Sequence, residues 1–265
     1  MNISAWLDRA IKQLREIGVD SARLDAELIL ANTLRKNRTY LHAHPEDDID
    51  PRRIDIANAR LRLRLERVPL AYILGYRDFY GRRFTVSPQV LVPRPESEAI
   101  IELLKELGVS GKLLDIGTGS GCLGITAKLE ISKLNVILSD ISQPALRVAR
   151  QNAEKFQADV ALIKSNLLRA VPGKFDIIIA NLPYVDRSWQ RSPETNHEPT
   201  LALFAKDEGL ALIYQLIDQL PVHLNPGALI FLEADPRQHG AIIAYAGSRQ
   251  LQHKLTRGFI VVLQA

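Results

Sequence analysis

Residues 113–125 read LLDIGTGSGCLGI: an apolar run closing at Asp115 and Ile116, glycines at 117, 119 and 121, and an apolar segment resuming at Cys122. Alternating glycines let a backbone turn tightly and let a ligand approach the main chain without meeting Cβ atoms. The stretch predicts a strand, a ligand-cradling loop formed by Gly117, Thr118, Gly119, Ser120 and Gly121, and a helix over 122–129. A glycine-rich turn without a ligand is the alternative for the tripartite pattern.

Outward from this loop, apolar and amphipathic segments alternate. A helix is expected over 96–107, strands at NVILSD (135–140), ADVALI (158–163) and FDIIIAN (175–181), and a helix over 144–156. Further on come a helix near 209–220, the strand GALIFLEA, another helix and a closing hairpin through GFIVVLQ. Such alternation specifies an α/β fold with an open, mostly parallel sheet covered by helices on both faces, because parallel neighbours need crossover connections.

Before residue 70 the pattern is helical. Trp6, Leu7, Ile11, Leu14 and Ile17 or Gly18 mark one stripe, and Asp20 is placed to cap a second run carrying Leu24, Leu28 and Ala31. Ile54, Ala57, Leu61, Leu65 and Val68 mark another helix after the Pro-containing loop HAHPEDDIDP. Residues 1–70 thus read as a small helical bundle, 71–95 as a β-hairpin connector, and 96–265 as the sheet domain.

With 265 residues, 46% hydrophobic, the chain can bury one full core and build a smaller second unit. No apolar run approaches a membrane span, and the amino terminus is periodic and charged rather than signal-like, so a cytoplasmic address without membrane association is expected. The single cysteine, Cys122, excludes an internal disulfide framework and a zinc site of several thiolates, and no metal is expected. A net charge of +4 is compatible with nucleic-acid or ribosomal partners, although runs such as RLRLRLER (60–67) read equally as a solvated face.

Gly119, Gly121 and Gly124 also satisfy the dinucleotide fingerprint. Asp115 argues against it, since pyrophosphate would bring negative charge to a strand-end carboxylate, whereas S-adenosylmethionine carries a cationic amino group and a sulfonium. Asp140 ends the next strand where a ribose diol would lie, with helix capping as the alternative. Asn166 is placed to meet an adenine amino group, or is a turn residue.

Asn181-Leu182-Pro183-Tyr184 follows the fourth strand of the alternating part, at the sheet edge where open α/β folds keep their ligands. An amide nitrogen is a poor nucleophile because its lone pair is delocalised. A site that holds its NH2 group through the Asn181 side-chain oxygen and the Leu182 carbonyl, with Tyr184 packed on the planar group, would aim the lone pair at a donor methyl. An ordinary Asn/Pro turn is the alternative for the tetrapeptide alone.

DAELIL (25–30), PLAYILGYRDFYGRRFTVSPQVLVPRPESE (69–98), the glycine loop, the Asn-x-Pro-Tyr motif and EPTLALFAKDEGL (198–210) together resemble the release factor glutamine methyltransferases. The resemblance implies a Rossmann-like S-adenosylmethionine methyltransferase sheet preceded by a helical bundle and a hairpin connector. It implies methylation of the glutamine N5 in the Gly-Gly-Gln tripeptide of class 1 peptide chain release factors, by a monomer without sequence-specific nucleic-acid readout and with the helical domain docking the protein substrate. By matching position, the cofactor loop is Gly117 to Gly121, Asp140 is the ribose acid, and Asn181, Pro183 and Tyr184 bind the acceptor. Two positions depart from the family pattern. Leu182 stands where the family usually has a first proline, removing one restraint on Asn181, and Leu167 stands where it often has a tryptophan against adenine.

Ribosomal RNA adenine dimethyltransferases share a similar tetrapeptide, but their small helical domain follows the catalytic one. A DNA adenine methyltransferase would need a target-recognition insertion. An oxidoreductase would need a catalytic Tyr-Lys or His arrangement, and a vestigial binding module would be expected to have lost the glycines or Asn181. Arg94 and Glu96 either order the mouth of the site or form a plain interdomain ion pair.

Overall fold

A computed structural model describes all residues, 1–265. The chain divides into two compact units, one of residues 1–75 with 192–197, the other of residues 76–191 with 198–265.

The first unit is helical: α1 (Ile3–Glu16), α2 (Ala22–Leu34), α3 (Arg38–Ala43), α4 (Pro51–Leu65) and α5 (Leu70–Leu74). Its core joins Trp6, Ile11 and Leu14 of α1 to Ala26, Ile29 and Leu30 of α2 and to Ala57 and Leu61 of α4. Three expectations fail here. Ile17 is exposed, Ser21 rather than Asp20 precedes α2 and makes no side-chain cap, and Leu24 is exposed while Ala22, Ala26, Ile29 and Leu30 are buried. The reason is that α2 touches α1, α3, α4 and α5, so it is buried on most sides and carries no single stripe to read. Residues 71–74, assigned to the connector, belong to α5, so the hairpin begins only at Tyr76.

The RLRLRLER run is not simply solvated. Arg64 is buried, and its Nε donates to buried Asp25 at 2.6 Å while one terminal nitrogen donates to Glu194 at 2.9 Å. Arg67 lies 3.2 Å from the same glutamate, and the backbone oxygen of Glu66 meets the His197 ring 2.9 Å away. A guanidinium fork can serve two carboxylates at once. That chemistry holds the detached segment 192–197 on the helical unit.

The second unit opens with the antiparallel hairpin β1 (Tyr76–Phe79) and β2 (Arg82–Thr85), followed by α6 (Glu98–Glu106). The alternating part then runs β3 (Lys112–Ile116), α7 (Cys122–Glu130), β4 (Asn135–Asp140), α8 (Gln143–Phe156), β5 (Val160–Lys164) and β6 (Phe175–Ala180). After α9 (Thr200–Leu203) and α10 (Ala211–Gln219) come β7 (Leu224–Glu233), α11 (His239–Gly247), β8 (Gln252–Arg257) and β9 (Ile260–Gln264). No helix is long and apolar enough to cross a membrane.

The seven strands lie in the order β5-β4-β3-β6-β7-β9-β8, parallel up to β7 and antiparallel across β9 and β8. Both faces are covered, and successive residues go to opposite cores. Leu114, Ile116, Ile178, Ala180, Ile230 and Leu232 pack on one side, while Leu113, Ile177, Ile179 and Phe231 pack on the other. The strand order reverses between β3 and β6, which makes the crevice above their carboxyl ends the topological switch point. Ile116 pairs with Ala180 and Ala180 with Leu232, so the next residues, Gly117, Asn181 and Glu233, stand in a row along that edge.

Candidate active site

The crevice is a cleft of about 1130 Å³, open solvent included, and it brings the two sequence motifs together. Gly117 to Ser120, Asp140, Asn166 and Leu167 line it from one side, and Asn181, Leu182 and Pro183 from the other. The loop glycines 117, 119 and 121 adopt φ of 68°, 54° and 81°, in the left-handed region that side chains resist. Gly117 also faces the segment after β6: a Cβ there would stand 3.1 Å from the Leu182 side chain. Leu182 is buried in the core beneath the loop, so the residue in place of a proline serves as packing.

Asp140 spans the turn. One carboxylate oxygen accepts from Gly119 N at 3.0 Å and the other from Ser142 N at 2.8 Å, while burial pushes its pKa up. Ser142, not Asp140, caps α8, its hydroxyl accepting from Ala145 N. Each Asp140 oxygen retains a lone pair, and the group lines the cleft, as a partner for a diol requires. The remaining wall is apolar: Leu167, held at φ 51°, Ile141 and Leu123. Bare main chain, one acid and a greasy slot fit the amino-acid end, the ribose and the adenine of S-adenosylmethionine, respectively.

Asp115 is placed differently from the sequence expectation. It is buried behind the loop, outside the cleft lining, with its Oδ2 accepting from Thr118 Oγ1 at 2.6 Å and Gly124 N at 2.9 Å. It pins the loop to the start of α7 and does not line the cleft. Gly124 is what permits this closeness, since a Cβ there would be 2.3 Å from Leu138 and 3.0 Å from Asp115.

Burial pushes the Asp115 carboxyl up to about 6, against the two hydrogen bonds that favour its charged form. The folded chain therefore holds this proton more tightly than the unfolded chain. Its contribution to stability is complete below the ordinary carboxylate range and is lost as pH rises through about 6, by about 3 kcal/mol at most, at roughly 1.4 kcal/mol per tenfold in proton affinity. Asp115→Asn, neutral throughout, should remove that slope. Denaturant melts at about pH 4.5 and 7.5 measure it, and equal slopes in the two proteins would contradict the assignment.

Arg94 does not pair with Glu96. Its guanidinium lies 2.5 Å from Glu198, a buried carboxylate whose other oxygen accepts from Val92 N at 3.0 Å. Only residues 76–85 of the connector are hairpin. The stretch through Gln89, Leu91, Pro93 and Arg94 is an arm lining the cleft, and Glu198 ties it to Pro199, Leu201 and Ala202 opposite. Cys122 also lines the cleft, but burial pushes its thiol up to about 12 and keeps it protonated.

Residues 181–184 have a supporting layer that the sequence reading missed. Asn181 Nδ2 donates to Ser97 Oγ at 3.1 Å, and Tyr184 Oη donates to Glu233 Oε1 at 3.3 Å. The Tyr184 ring is thus turned inward rather than laid along the cleft. Buried Gln238 donates to the main-chain oxygens of Tyr184 and Glu208, at 2.9 and 2.7 Å. An acid closing a strand at the sheet edge, as in GALIFLE, was the available signal for Glu233.

A glycine loop at the switch point, a buried-edge acid, Asp140, and the Asn181-Leu182-Pro183 edge in one cleft fit an S-adenosylmethionine-dependent N-methyltransferase. Models of the PrmC N-terminal domain and of the methyltransferase small domain match residues 5–75 and 95–198. A release factor glutamine methyltransferase of Koribacter versatilis is 40% identical, covering 89% of each chain, and one of Deinococcus radiodurans is 36% identical, covering 92% of this chain and 90% of its own. This chain belongs to the release factor glutamine methyltransferase family. A solved methyltransferase from Pyrococcus furiosus shares the fold at 22% identity and a TM-score of 0.55, covering 78% of this chain and 95% of that one.

Proposed function

We propose that this enzyme transfers a methyl group from S-adenosylmethionine to N5 of the glutamine in the Gly-Gly-Gln tripeptide of class 1 peptide chain release factors. The observation that carries the reading is that Asn181 and the glycine loop line the same cleft, with the Asn181 amide nitrogen tied inward to Ser97. That tie leaves Asn181 Oδ1 and the Leu182 carbonyl as acceptors for the two hydrogens of an incoming NH2 group. Bound S-adenosylmethionine supplies a methyl already activated on a sulfonium, so the residues need only orient, desolvate and hold. Gripping both N–H bonds presents the nitrogen lone pair outward, and correct alignment is worth up to ~7–11 kcal/mol. Oxygen dipoles beside the nitrogen also stabilise the positive charge that grows there.

In this reading Gly117 to Gly121 take the amino-acid end of the donor, Asp140 the ribose hydroxyls, and Asn166 and Leu167 the adenine. Pro183 stiffens Leu182, and Tyr184 supports the segment from behind. Residues 1–70 dock the release factor, and the enzyme works as a cytoplasmic monomer that reads a protein loop rather than a nucleic-acid sequence. Support for a protein acceptor comes from the relatives, whose names specify glutamine.

Incubation with methyl-labelled S-adenosylmethionine and either a purified release factor or ribosomal RNA, followed by mass spectrometry, decides between the acceptors. Label on the tripeptide glutamine is the expected result. Label on RNA bases alone would overturn the substrate.

A further inference from the structure

Glu233 closes β7 beside Asn181, 2% exposed, in a part of the sheet edge that is otherwise apolar core or ligand cleft. Its Oε1 accepts from Tyr184, whereas its Oε2 is buried with no hydrogen-bond partner. Leaving a carboxylate oxygen so placed costs on the order of 1–3 kcal/mol. A group maintained at that cost needs a reason beyond packing. Burial pushes the Glu233 carboxyl up, and three donors that face it offset this by favouring its charged form: the hydroxyls of Ser97 and Tyr184, and the side-chain amide of Asn181. Ser97, itself 2% exposed, closes the turn before α6 and joins the other two, since its Oγ also accepts from Asn181 Nδ2.

In its charged form this carboxylate accepts hydrogens and donates none. Groups crowded around it must therefore turn their hydrogens toward it. For Ser97 this points the O–H at Glu233 and leaves lone pairs for Asn181. An asparagine amide has one hydrogen-bearing end and one bare end of nearly equal size, so drawing the NH2 inward obliges Oδ1 to face outward. We propose that Glu233, acting with Ser97, is a positioning acid that fixes the polarity of the Asn181 amide, so that its oxygen and not its NH2 meets the acceptor nitrogen. This rests on the reading of Asn181 as the acceptor-holding residue. Without the device the amide can turn over. Its NH2 would then meet the NH2 of the acceptor, two donors with no hydrogen bond between them.

Glu233→Gln is isosteric but brings its own NH2 into the cluster, which removes the polarity. Ser97→Ala removes the intermediary, and Ser97→Thr keeps the hydroxyl. With purified release factor as acceptor, Glu233→Gln and Ser97→Ala should each lose about 10–100-fold in kcat, the scale of a misplaced first contact, while S-adenosylmethionine titrates calorimetrically within ~3-fold of wild type. Ser97→Thr should stay within ~3-fold of wild-type kcat, because the orienting hydroxyl is retained. Turnover at the wild-type rate in Glu233→Gln and Ser97→Ala, alongside an inactive Asn181→Ala, would overturn the positioning role and leave the acceptor reading standing. Full activity in Asn181→Ala would overturn the acceptor reading itself. Loss of donor binding in all the variants, or equal loss in the Thr and Ala variants of Ser97, would mean that these residues merely support the fold.

Discussion

Asn181→Ala is expected to cost at least ~10²–10³-fold in kcat, the scale seen when one preorganised polar contact to a reacting group is deleted. Binding of S-adenosylmethionine should stay within about tenfold, because this side chain acts chiefly on the group that changes charge during transfer. Three features argue for so large an effect. Asn181 stands between the glycine loop and Glu233 along the carboxyl edge, its amide nitrogen is committed to Ser97, and its oxygen is left for the cleft. Alanine removes that oxygen and frees the acceptor NH2 to rotate, returning the lone pair to conjugation with its own carbonyl. Single-turnover methylation of a purified release factor, with calorimetric titration of the donor, measures both quantities. Wild-type turnover would remove Asn181 from the mechanism.

The second large effect lies outside the cleft. Gly209 adopts φ +86°, and a Cβ there would stand 1.9 Å from the carbonyl oxygen of Tyr184 and 2.5 Å from Gln238 Nε2. The main chain cannot yield as a flexible side-chain tip would, and Gln238 holds the same carbonyl at 2.9 Å. Gly209→Ala should therefore destabilise the sheet unit by about 3 kcal/mol or more, from left-handed strain plus overpacking. At about 2–4 °C per kcal/mol, that lowers Tm by roughly 6–12 °C. Turnover should fall as well, because the displaced carbonyl belongs to the acceptor segment. Gly240→Ala is the control: nothing stands within 4 Å of its Cβ position, and it lies inside α11 with ordinary φ. A helical alanine should leave stability unchanged or raise it by about 0.5–1 kcal/mol. Equal melting of the two variants would refute the steric argument.

Residue order alone carried a great deal. The glycine spacing at 117–121, the acid at 140 and the tetrapeptide at 181–184 are local patterns whose chemistry is set within a few residues, and the alternation of strand and helix runs is also local. That is why the parallel sheet, the glycine loop and the Asn-x-Pro-Tyr turn at its carboxyl edge are legible in the residue order. Amphipathic stripes were readable for α1 and α4, each with a clear apolar face, but not for α2, which is wrapped on several sides.

What tertiary structure decided is which polar groups meet across long separations. Asp115 looked outward from the end of its strand in the sequence, yet the fold turns it back onto Thr118 and Gly124. Arg94 chose Glu198 over its near neighbour Glu96, and Glu233 came to stand behind Asn181 with Ser97 between them. Segment 192–197 leaves the sheet unit to join Arg64 and Arg67 on the helical one. Turns, loops and strand ends obey short-range sterics and hydrogen-bond rules, so their spelling suffices. Pairing between residues some 50 to 130 positions apart depends on where burial leaves a charge or an amide without water, and only the folded chain determines that.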